Sequence, residues 1–220
     1  MSKRIMGAAL GALLTTGALL GSATALAWQA GDIIVRAGAA GVLPDSDSER
    51  ITPLGTDARV EAQDAWSLGL TMTYMATKNI GVGVLAAWPF EHDIDGAGDI
   101  SALNTVATTK HLPPTVTLQY HFDTGSKFHP YVGAGLNYTY FFDEDTKNTL
   151  ATISPEIDLD DSFGLAGEVG VDYELSNNWV VSGQVWYLDI DTRAKIKGVA
   201  GSYDVDIDPW VVMVGVGKKF

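Results

Sequence analysis

The sequence predicts an all-β protein, an eight-stranded antiparallel up-and-down transmembrane β-barrel. Residues 210–220 alternate between apolar residues and mostly small ones, and an aromatic residue stands at each end of the apolar face. This period of two marks a strand with one face in an apolar medium, and about ten such residues cross a membrane once. Seven earlier segments share the pattern, and the connections between the eight segments alternate between long and short.

The eight predicted strands follow one another along the chain. Residues 66–75 give the clearest pattern, with Trp66, Leu68 and Leu70 on one face and with Ser67 and Gly69 on the other. The other segments repeat this division between an apolar face and a small or polar face, which is typical of strands. The predicted strands are 32–42, 66–75, 80–88, 115–122, 132–141, 163–173, 179–188 and 210–220.

The connections fall into two classes. Three are short turns, at 77–79, 123–127 and 176–178, and four are long polar loops, at 44–63, 90–111, 143–161 and 191–208. Outer-membrane barrels have tight turns on the periplasmic side and long loops outside. The alternation therefore favours such a barrel, with the four long loops at its outer end.

Aromatic residues give an independent check of this topology. Membrane barrels carry a girdle of aromatic residues at each interface. With the long loops outside, the outer girdle is Trp66, Trp88, Tyr140, Phe163, Tyr187 and Trp210, and the inner girdle is Tyr74, Tyr120, Phe122, Tyr173, Trp179 and Phe220. Strands that run in opposite directions thus place their aromatic residues at the same two levels.

The direction of each face separates two kinds of barrel. A soluble barrel of the lipocalin type turns its apolar face inward and a charged face to water. Here the second face consists of Gly, Ser, Thr, Asn and Gln with few charges, which suits a narrow lumen better than a water-exposed surface. We therefore expect Trp66, Leu68 and Val214 to face lipid. Thr117 and Asn137 are expected to face the lumen.

Residues 1–27 are expected to be a cleaved signal peptide. Lys3 and Arg4 precede an apolar stretch, and Ala25-Leu26-Ala27 supplies a small-residue cleavage site. Cleavage would leave residues 28–220 as the barrel. An N-terminal membrane anchor is the alternative, but the stretch is short and polar residues interrupt it.

Composition excludes several other classes of protein. The chain has no cysteine, so its stability must come from backbone pairing or from packing. After the first 27 residues no apolar run reaches the ~18 residues of a membrane helix. The net charge of −13 argues against nucleic acid as a partner, because nucleic acid requires a basic surface.

Four stretches of the sequence carry a resemblance to a known family. They are WSLGLTMTYMATKNIGVGVLAAWPF (66–90), HLPPT (111–115), YVGAGLNYTYFFD (131–143), and WYLDIDT (186–192) with Asp208-Pro209-Trp210. These stretches resemble the OmpW family of outer-membrane proteins, to which OprG and AlkL are related. The resemblance implies a bacterial outer-membrane barrel that passes small, mainly hydrophobic molecules by passive diffusion, with a lateral exit through its wall. Lys218 departs from the pattern, because an aromatic residue is usual at this lipid-facing position.

Pro113 and Pro114 are expected to begin the fourth strand. Proline donates no ladder hydrogen bond, so two in succession leave the wall locally unpaired. One interpretation is an ordinary strand start at the outer rim. The other, which the resemblance supports, is a lateral opening between the third and fourth strands.

Large apolar side chains on the inward faces are candidates for a substrate channel. Leu85 and Trp186 stand out on otherwise small or polar faces, and Phe141, Leu188 and Met213 accompany them. Together they would form an apolar constriction or a binding patch of the kind that apolar ligands require. Plain packing in a plugged barrel is the alternative.

Four polar residues fall on inward registers: Arg36, Gln119, Glu168 and Asp172. A charge in such a position needs a partner or water. We expect an ion pair between Arg36 and either Glu168 or Asp172, with a structural role.

No metal, cofactor or enzymatic activity is expected. The four histidines have no spacing typical of a metal site. Asp143, Glu144 and Asp145 form either a hydrated charge run or a bridge through divalent cations to lipopolysaccharide. No Ser, His and Asp residues form a recognisable catalytic set in the sequence.

The expected partners follow from the predicted location. They are outer-membrane lipid and lipopolysaccharide, small hydrophobic solutes, and the barrel assembly machinery during insertion. A closed structural or surface-interaction barrel, acting as a receptor or adhesin without transport, is the alternative function.

Overall fold

The barrel closes because its first and last strands pair with each other. The computed structural model describes residues 28–45, 47–51, 55–147, 157–197 and 201–220. The expected signal peptide, 1–27, lies outside these residues. In antiparallel register, Ile34 lies opposite Lys219, and Leu43 lies opposite Trp210. Closure leaves no unpaired sheet edge in the membrane.

Fifteen strands are present among the described residues. In chain order they are β1 (Ile33–Leu43), β2 (Asp47–Ser48), β3 (Ala58–Ala62), β4 (Ala65–Met75), β5 (Ile80–Ala87), β6 (Phe90–Gly98), β7 (Thr105–Leu112), β8 (Thr115–His121), β9 (Phe128–Thr146), β10 (Ile157–Leu159), β11 (Ser162–Glu174), β12 (Trp179–Leu188), β13 (Asp191–Ile196), β14 (Tyr203–Asp206) and β15 (Trp210–Lys219). Short 3-10 helices span Ser101–Leu103 and Ser176–Asn178. Among these residues, none of the helices has the length and apolar character to cross a membrane.

Eight of the strands form the barrel. Around its wall they follow the order β1, β4, β5, β8, β9, β11, β12 and β15, each antiparallel to its neighbours. This order is the order along the chain, so the predicted eight-stranded up-and-down topology is confirmed.

The predicted faces of the barrel strands are confirmed as well. Trp66 and Val214 on the outer face are 64% and 68% exposed, whereas Thr117 and Asn137 point inward and are buried. All twelve residues of the two predicted aromatic girdles are exposed on the outer wall. Lys218 is also on this wall, with its ammonium over the rings of Trp179 and Phe220. These cation–π contacts accommodate its charge among aromatic residues.

The prediction of four long loops is wrong, since each of these segments contains further strands. β3, β6, β7 and the end of β9 continue one side of the wall outward, and β10, β13, β14 and β2 form a second sheet beyond the membrane. The period of two persists there, but the outward positions carry charges because they meet water. In β13, for example, Thr192 and Ala194 point inward, and Arg193 and Lys195 point outward.

Candidate functional site

The half of the lumen beside the short turns, called here the lower lumen, is filled by buried polar side chains. Arg36 is completely buried, and its Nε donates a hydrogen bond to Oδ1 of Asp172 at 2.8 Å while Nη2 donates to Oδ2. Its Nη1 donates to the hydroxyl of Thr73 at 2.9 Å. The expected ion pair is therefore present, and its carboxylate is Asp172 rather than Glu168. A bidentate pair of this kind is among the strong hydrogen-bonded contacts in proteins.

Glu168 belongs to the same network through neutral partners. Its Oε2 accepts hydrogen bonds from Oγ1 of Thr117 at 2.6 Å and from Nε2 of Gln119 at 2.9 Å. Gln119 in turn accepts a hydrogen bond from the hydroxyl of Thr73 at 3.1 Å. Because Thr73 also binds Arg36, the two carboxylates are linked across the lumen. An apolar molecule would have to break these bonds to pass through the lower lumen.

Apolar side chains fill the lumen above this network. The five residues predicted to line a channel, Leu85, Phe141, Trp186, Leu188 and Met213, are all buried and all belong to one cluster. Here this group is called the apolar cluster, and it also includes Ala40, Val42, Ala65, Phe90, Ala166, Ile190 and Val211. The absence of a side chain at Gly69 makes room for Met213, because a Cβ there would lie 2.8 Å from Sδ of Met213.

Trp186 marks the boundary between the two halves. It is the direct cross-strand partner of Glu168, and its indole interacts with that carboxylate. The same ring packs in the apolar cluster. One side chain therefore joins the polar network below to the apolar cluster above.

Two apolar cavities lie beyond the cluster, inside the part of the wall that extends outside the membrane. The inner cavity has a volume of about 70 Å³, and Phe141 and Ile190 of the apolar cluster contribute to its lining. The outer cavity has a volume of about 40 Å³ and shares lining residues with the inner one, including Val60 and Val205. Apolar surface thus continues from the outer strands down to Trp186.

The wall between the third and fourth barrel strands is interrupted at the level of the apolar cluster. Leu85 pairs with Thr115, and the next pair beyond it joins Phe90 to His111. From the first pair to the second, the chain advances five residues between Leu85 and Phe90 but only four between His111 and Thr115. The register of the two strands therefore shifts by one residue. Within the described segment 55–147, residues 86–89 and 112–114 form no cross-strand pairs with each other.

Prolines account for this interruption. Pro113 and Pro114 were expected to begin the fourth strand, but they separate β7 from β8 instead. β7 extends the wall outward beyond the two prolines. Pro89, for which the sequence predicted no role, stands on the opposite side of the interruption, between β5 and β6. None of the three prolines can donate a backbone hydrogen bond, so both segments of the chain at the interruption lack donors for cross-strand pairing.

Two histidines without a predicted role, His92 and His111, meet in the inner cavity. The rings of His92 and His111 stack with centroids 4.8 Å apart, and Phe90 stacks on the other side of His111 at 5.6 Å. Burial, aided by the neighbouring His92, lowers the pKa of His111 to about 3, and burial also lowers the pKa of His92. Both side chains are therefore neutral at neutral pH. Only their alternation on β6 and β7 could have indicated that both point inward.

The acidic residues of the outer region divide between ion pairs and a surface cluster. Asp143 accepts a hydrogen bond from Nζ of Lys110 at 3.2 Å, at the outer end of β9. Among the described residues, carboxylate oxygens of Asp189, Asp191 and Asp208 lie within 4.8 Å of one another. Oδ1 of Asp208 accepts a hydrogen bond from the backbone N–H of Ile190. At least one of these carboxylates, that of Asp208, therefore stabilises the local backbone by accepting a hydrogen bond.

Comparison with known proteins connects this arrangement to a family. A family model described as the OmpW family matches residues 29–220. Outer membrane protein W of Vibrio cholerae serotype O1 is 47% identical over 208 residues, which cover 92% of this chain and 95% of that protein. Outer membrane protein AlkL of Ectopseudomonas oleovorans is 29% identical over 192 residues, covering 86% of this chain and 75% of that protein.

A solved structure agrees with these sequence matches. The crystal structure of the outer membrane protein OprG from Pseudomonas aeruginosa superposes with a TM-score of 0.80 at 42% sequence identity. The match covers 87% of this chain and 97% of the OprG chain. Sequence and fold therefore point to the same group of outer-membrane barrels.

Proposed function

The chain belongs to the OmpW family of outer-membrane proteins, and we propose that it conducts small, mainly hydrophobic molecules inward by passive diffusion. In this proposal the solute crosses the two cavities, reaches the apolar cluster and leaves sideways between the third and fourth barrel strands. The observation that carries the proposal is that the unpaired wall at Pro89, Pro113 and Pro114 borders the apolar cluster directly above the polar network.

The contrast in polarity along the lumen supports the sideways route. Above Trp186 the lining is apolar, so an apolar solute replaces one apolar contact by another. Below Trp186 it would have to separate Arg36 from Asp172 and leave buried charges unpaired, which is costly. The membrane interior beside the wall offers an apolar destination at the level where the axial route ends.

The position of the interruption supports the exit. Leu85 and Phe90 of the apolar cluster are the residues at which strand pairing stops and resumes. Pairing elsewhere in the wall is continuous along β1, β4, β12 and β15. A solute held against Leu85 and Phe90 therefore faces a part of the wall that lacks cross-strand pairs.

The test is to restore pairing at the interruption. In a strain that lacks the chromosomal copy, the variant with both Pro113→Val and Pro114→Thr is compared with the wild type for uptake of a hydrophobic fluorescent probe. Valine and threonine supply the missing N–H groups and favour strands, so we expect uptake to fall towards that of the deletion strain. Pro130→Val, in β9 away from the interruption, is the matched control and should leave uptake unchanged.

Two outcomes contradict different parts of the proposal. If the wild type gives no more uptake than the deletion strain, the channel function is wrong. If the wild type gives uptake and the double variant matches it, the solute does not leave between these two strands. Surface amounts of each variant are measured in the same cells, so that poor insertion is not mistaken for a closed wall.

A closed barrel with a receptor or adhesin-like role is the second candidate. One observation favours it, namely that buried side chains fill the lower lumen from Arg36 to Glu168. Purified protein in lipopolysaccharide-containing liposomes separates the two candidates. A closed barrel would leave the liposomes as impermeable to small apolar solutes as protein-free ones, whereas the proposed channel raises the rate.

A further inference from the structure

A column of aromatic rings borders the inner cavity, and two of its members, His92 and His111, line that cavity. Phe90, His111 and His92 stack in that order, with 23° between the planes at each contact, and Phe141 lies beside His111 at 5.8 Å. The pairing of β6 with β7, which places Phe90 opposite His111, builds the column. His92, His111 and Phe141 line the cavity together with aliphatic residues such as Ile94 and Ile190. A wall of this kind favours flat ligands, because aromatic rings gain from stacked or edge contacts.

The tautomer of His92 is determined by its neighbour. Nδ1 of His92 lies 2.5 Å from the backbone carbonyl oxygen of Gln63. A carbonyl oxygen can only accept a hydrogen bond, so Nδ1 carries the proton and Nε2 of the neutral ring keeps a free lone pair. Nε2 can therefore accept a hydrogen bond from a ligand that carries a donor.

Nε2 of His92 has no hydrogen-bond partner among the described residues, although it is buried. A buried acceptor without a donor destabilises the state that contains it, and a bound donor removes that cost. His111 and Phe141 supply rings to the same cavity, but neither supplies a donor to this nitrogen. Among the described residues that line the cavity, Nε2 of His92 is thus the buried side-chain acceptor without a partner, and it lies beside apolar and aromatic side chains.

We propose that the inner cavity selects single-ring aromatic molecules that carry one hydroxyl group, the phenols, over aromatic hydrocarbons of the same shape. The ligand ring packs against His92, His111 and Phe141, and its hydroxyl donates to Nε2 of His92. This inference rests on the proposed uptake function and specifies which solutes the route prefers.

Size limits the ligand to one ring. The cavity volume of about 70 Å³ is smaller than the roughly 150 Å³ known to hold benzene in an engineered protein core. Binding therefore includes an outward shift of flexible lining side chains. The same shift gives the hydroxyl access to Nε2, which has almost no accessible surface in this structure.

The experiment compares 4-fluorophenol with 4-fluorotoluene. The two molecules have nearly the same shape, but the phenol carries a hydroxyl donor where the toluene carries a methyl group. Binding to the protein in nanodiscs is measured by fluorine NMR, and empty nanodiscs give the share that dissolves in lipid. We expect the wild type to bind 4-fluorophenol more tightly than 4-fluorotoluene after this correction. His92→Phe keeps a stacking ring and removes the acceptor, so it should weaken phenol binding about fivefold, as expected for one net hydrogen bond, and leave toluene binding unchanged.

A matched variant and a spectroscopic measurement complete the test. His129→Phe makes the same change in a buried histidine at the opposite end of the barrel, against Trp28, and should not alter phenol binding. In wild-type protein with nitrogen-15 histidine, 4-fluorophenol should shift the Nε2 resonance of His92, and 4-fluorotoluene should not. The second measurement decides the question if His92→Phe fails to fold.

The outcomes separate this inference from the function on which it rests. If both ligands bind equally and the Nε2 resonance of His92 does not respond to the phenol, the selectivity is wrong and the uptake route stands. If neither ligand binds the protein and neither is taken up through it by cells, both the selectivity and the proposed function are wrong.

Discussion

Below Trp186 the lumen is held by charged and polar side chains, and above it by apolar ones, although the same strands build both halves. In the lower lumen, charged groups form directional contacts such as the hydrogen-bonded ion pair between Arg36 and Asp172. In the upper lumen Leu188 and Met213 meet their neighbours only through non-directional apolar contacts. This difference predicts a rigid lower lumen and a deformable upper lumen in one barrel. A network of directional bonds resists parting, whereas apolar side chains can shift and re-form equivalent contacts.

The largest expected effect comes from removing a charge in the lower lumen. Asp172→Asn leaves the guanidinium of Arg36 buried without its counter-charge, and we expect a loss of about 3–5 kcal/mol in the free energy of unfolding. Urea unfolding in detergent micelles, followed by gel mobility, measures it. Asp160→Asn breaks the exposed pair with Lys195, which contributes about 0–1 kcal/mol, and is the control.

A double variant sharpens this prediction. Replacing Arg36 with Met and Asp172 with Leu in one protein removes both charges together, so much of the stability should return. If Asp172→Asn alone is as stable as the wild type, the contrast between a tightly bonded lower lumen and a deformable upper lumen is wrong.

A smaller loss of stability, with a gain in transport, is expected in the upper lumen. Met213→Ala removes a buried side chain from the apolar cluster and should cost roughly 2–3 kcal/mol of unfolding free energy. Because the cluster lies on the proposed route, uptake of a hydrophobic probe should rise. Val214→Ala, the next residue on the lipid-facing side, is the control and should leave uptake unchanged. Equal uptake by Met213→Ala and wild type would place the route elsewhere.

The smallest effect on global stability is expected from acid acting on the histidine pair. The pKa of His111 falls from 6.5 to about 3 in the folded protein, and that of His92 is lowered too, so an opened form binds protons more readily below pH 6.5. Their contribution is therefore complete above pH 6.5 and is lost progressively as the pH falls towards 3. We expect the outer strands to open without unfolding of the barrel, so the effect should be mainly local.

Amide hydrogen exchange of β6 and β7 measures this local opening. Between pH 7 and pH 4.5, protection should fall in the wild type after correction for the intrinsic exchange rate. Replacing both histidines with Phe should remove this fall. Glu144 also lines the cavity, and burial raises its pKa, so it acts in the opposite sense and stabilises the closed form as the pH falls. A double variant that still loses protection in acid would show that the histidines are not the cause.

Local sequence determined the membrane-spanning part of this protein. Alternation over segments such as 66–75 assigned the lipid and lumen faces, because a strand has only two faces and lipid admits only one kind of side chain. The same rule put Arg36 and Asp172 in the lumen, where a charge requires a partner. The alternation of long and short connections placed the girdle residues Trp66 and Trp88 at one level.

Outside the membrane this rule ceases to apply, and tertiary structure decided the result. In β13 the outward residues Arg193 and Lys195 meet water, so the apolar signal that identifies a strand in lipid is absent although the strand is present. Which residues meet across the barrel is also set by strand register and closure, and no local pattern contains this information. For this reason only the fold paired Arg36 with Asp172 rather than Glu168, stacked His92 on His111, and placed Pro89 opposite Pro113 and Pro114.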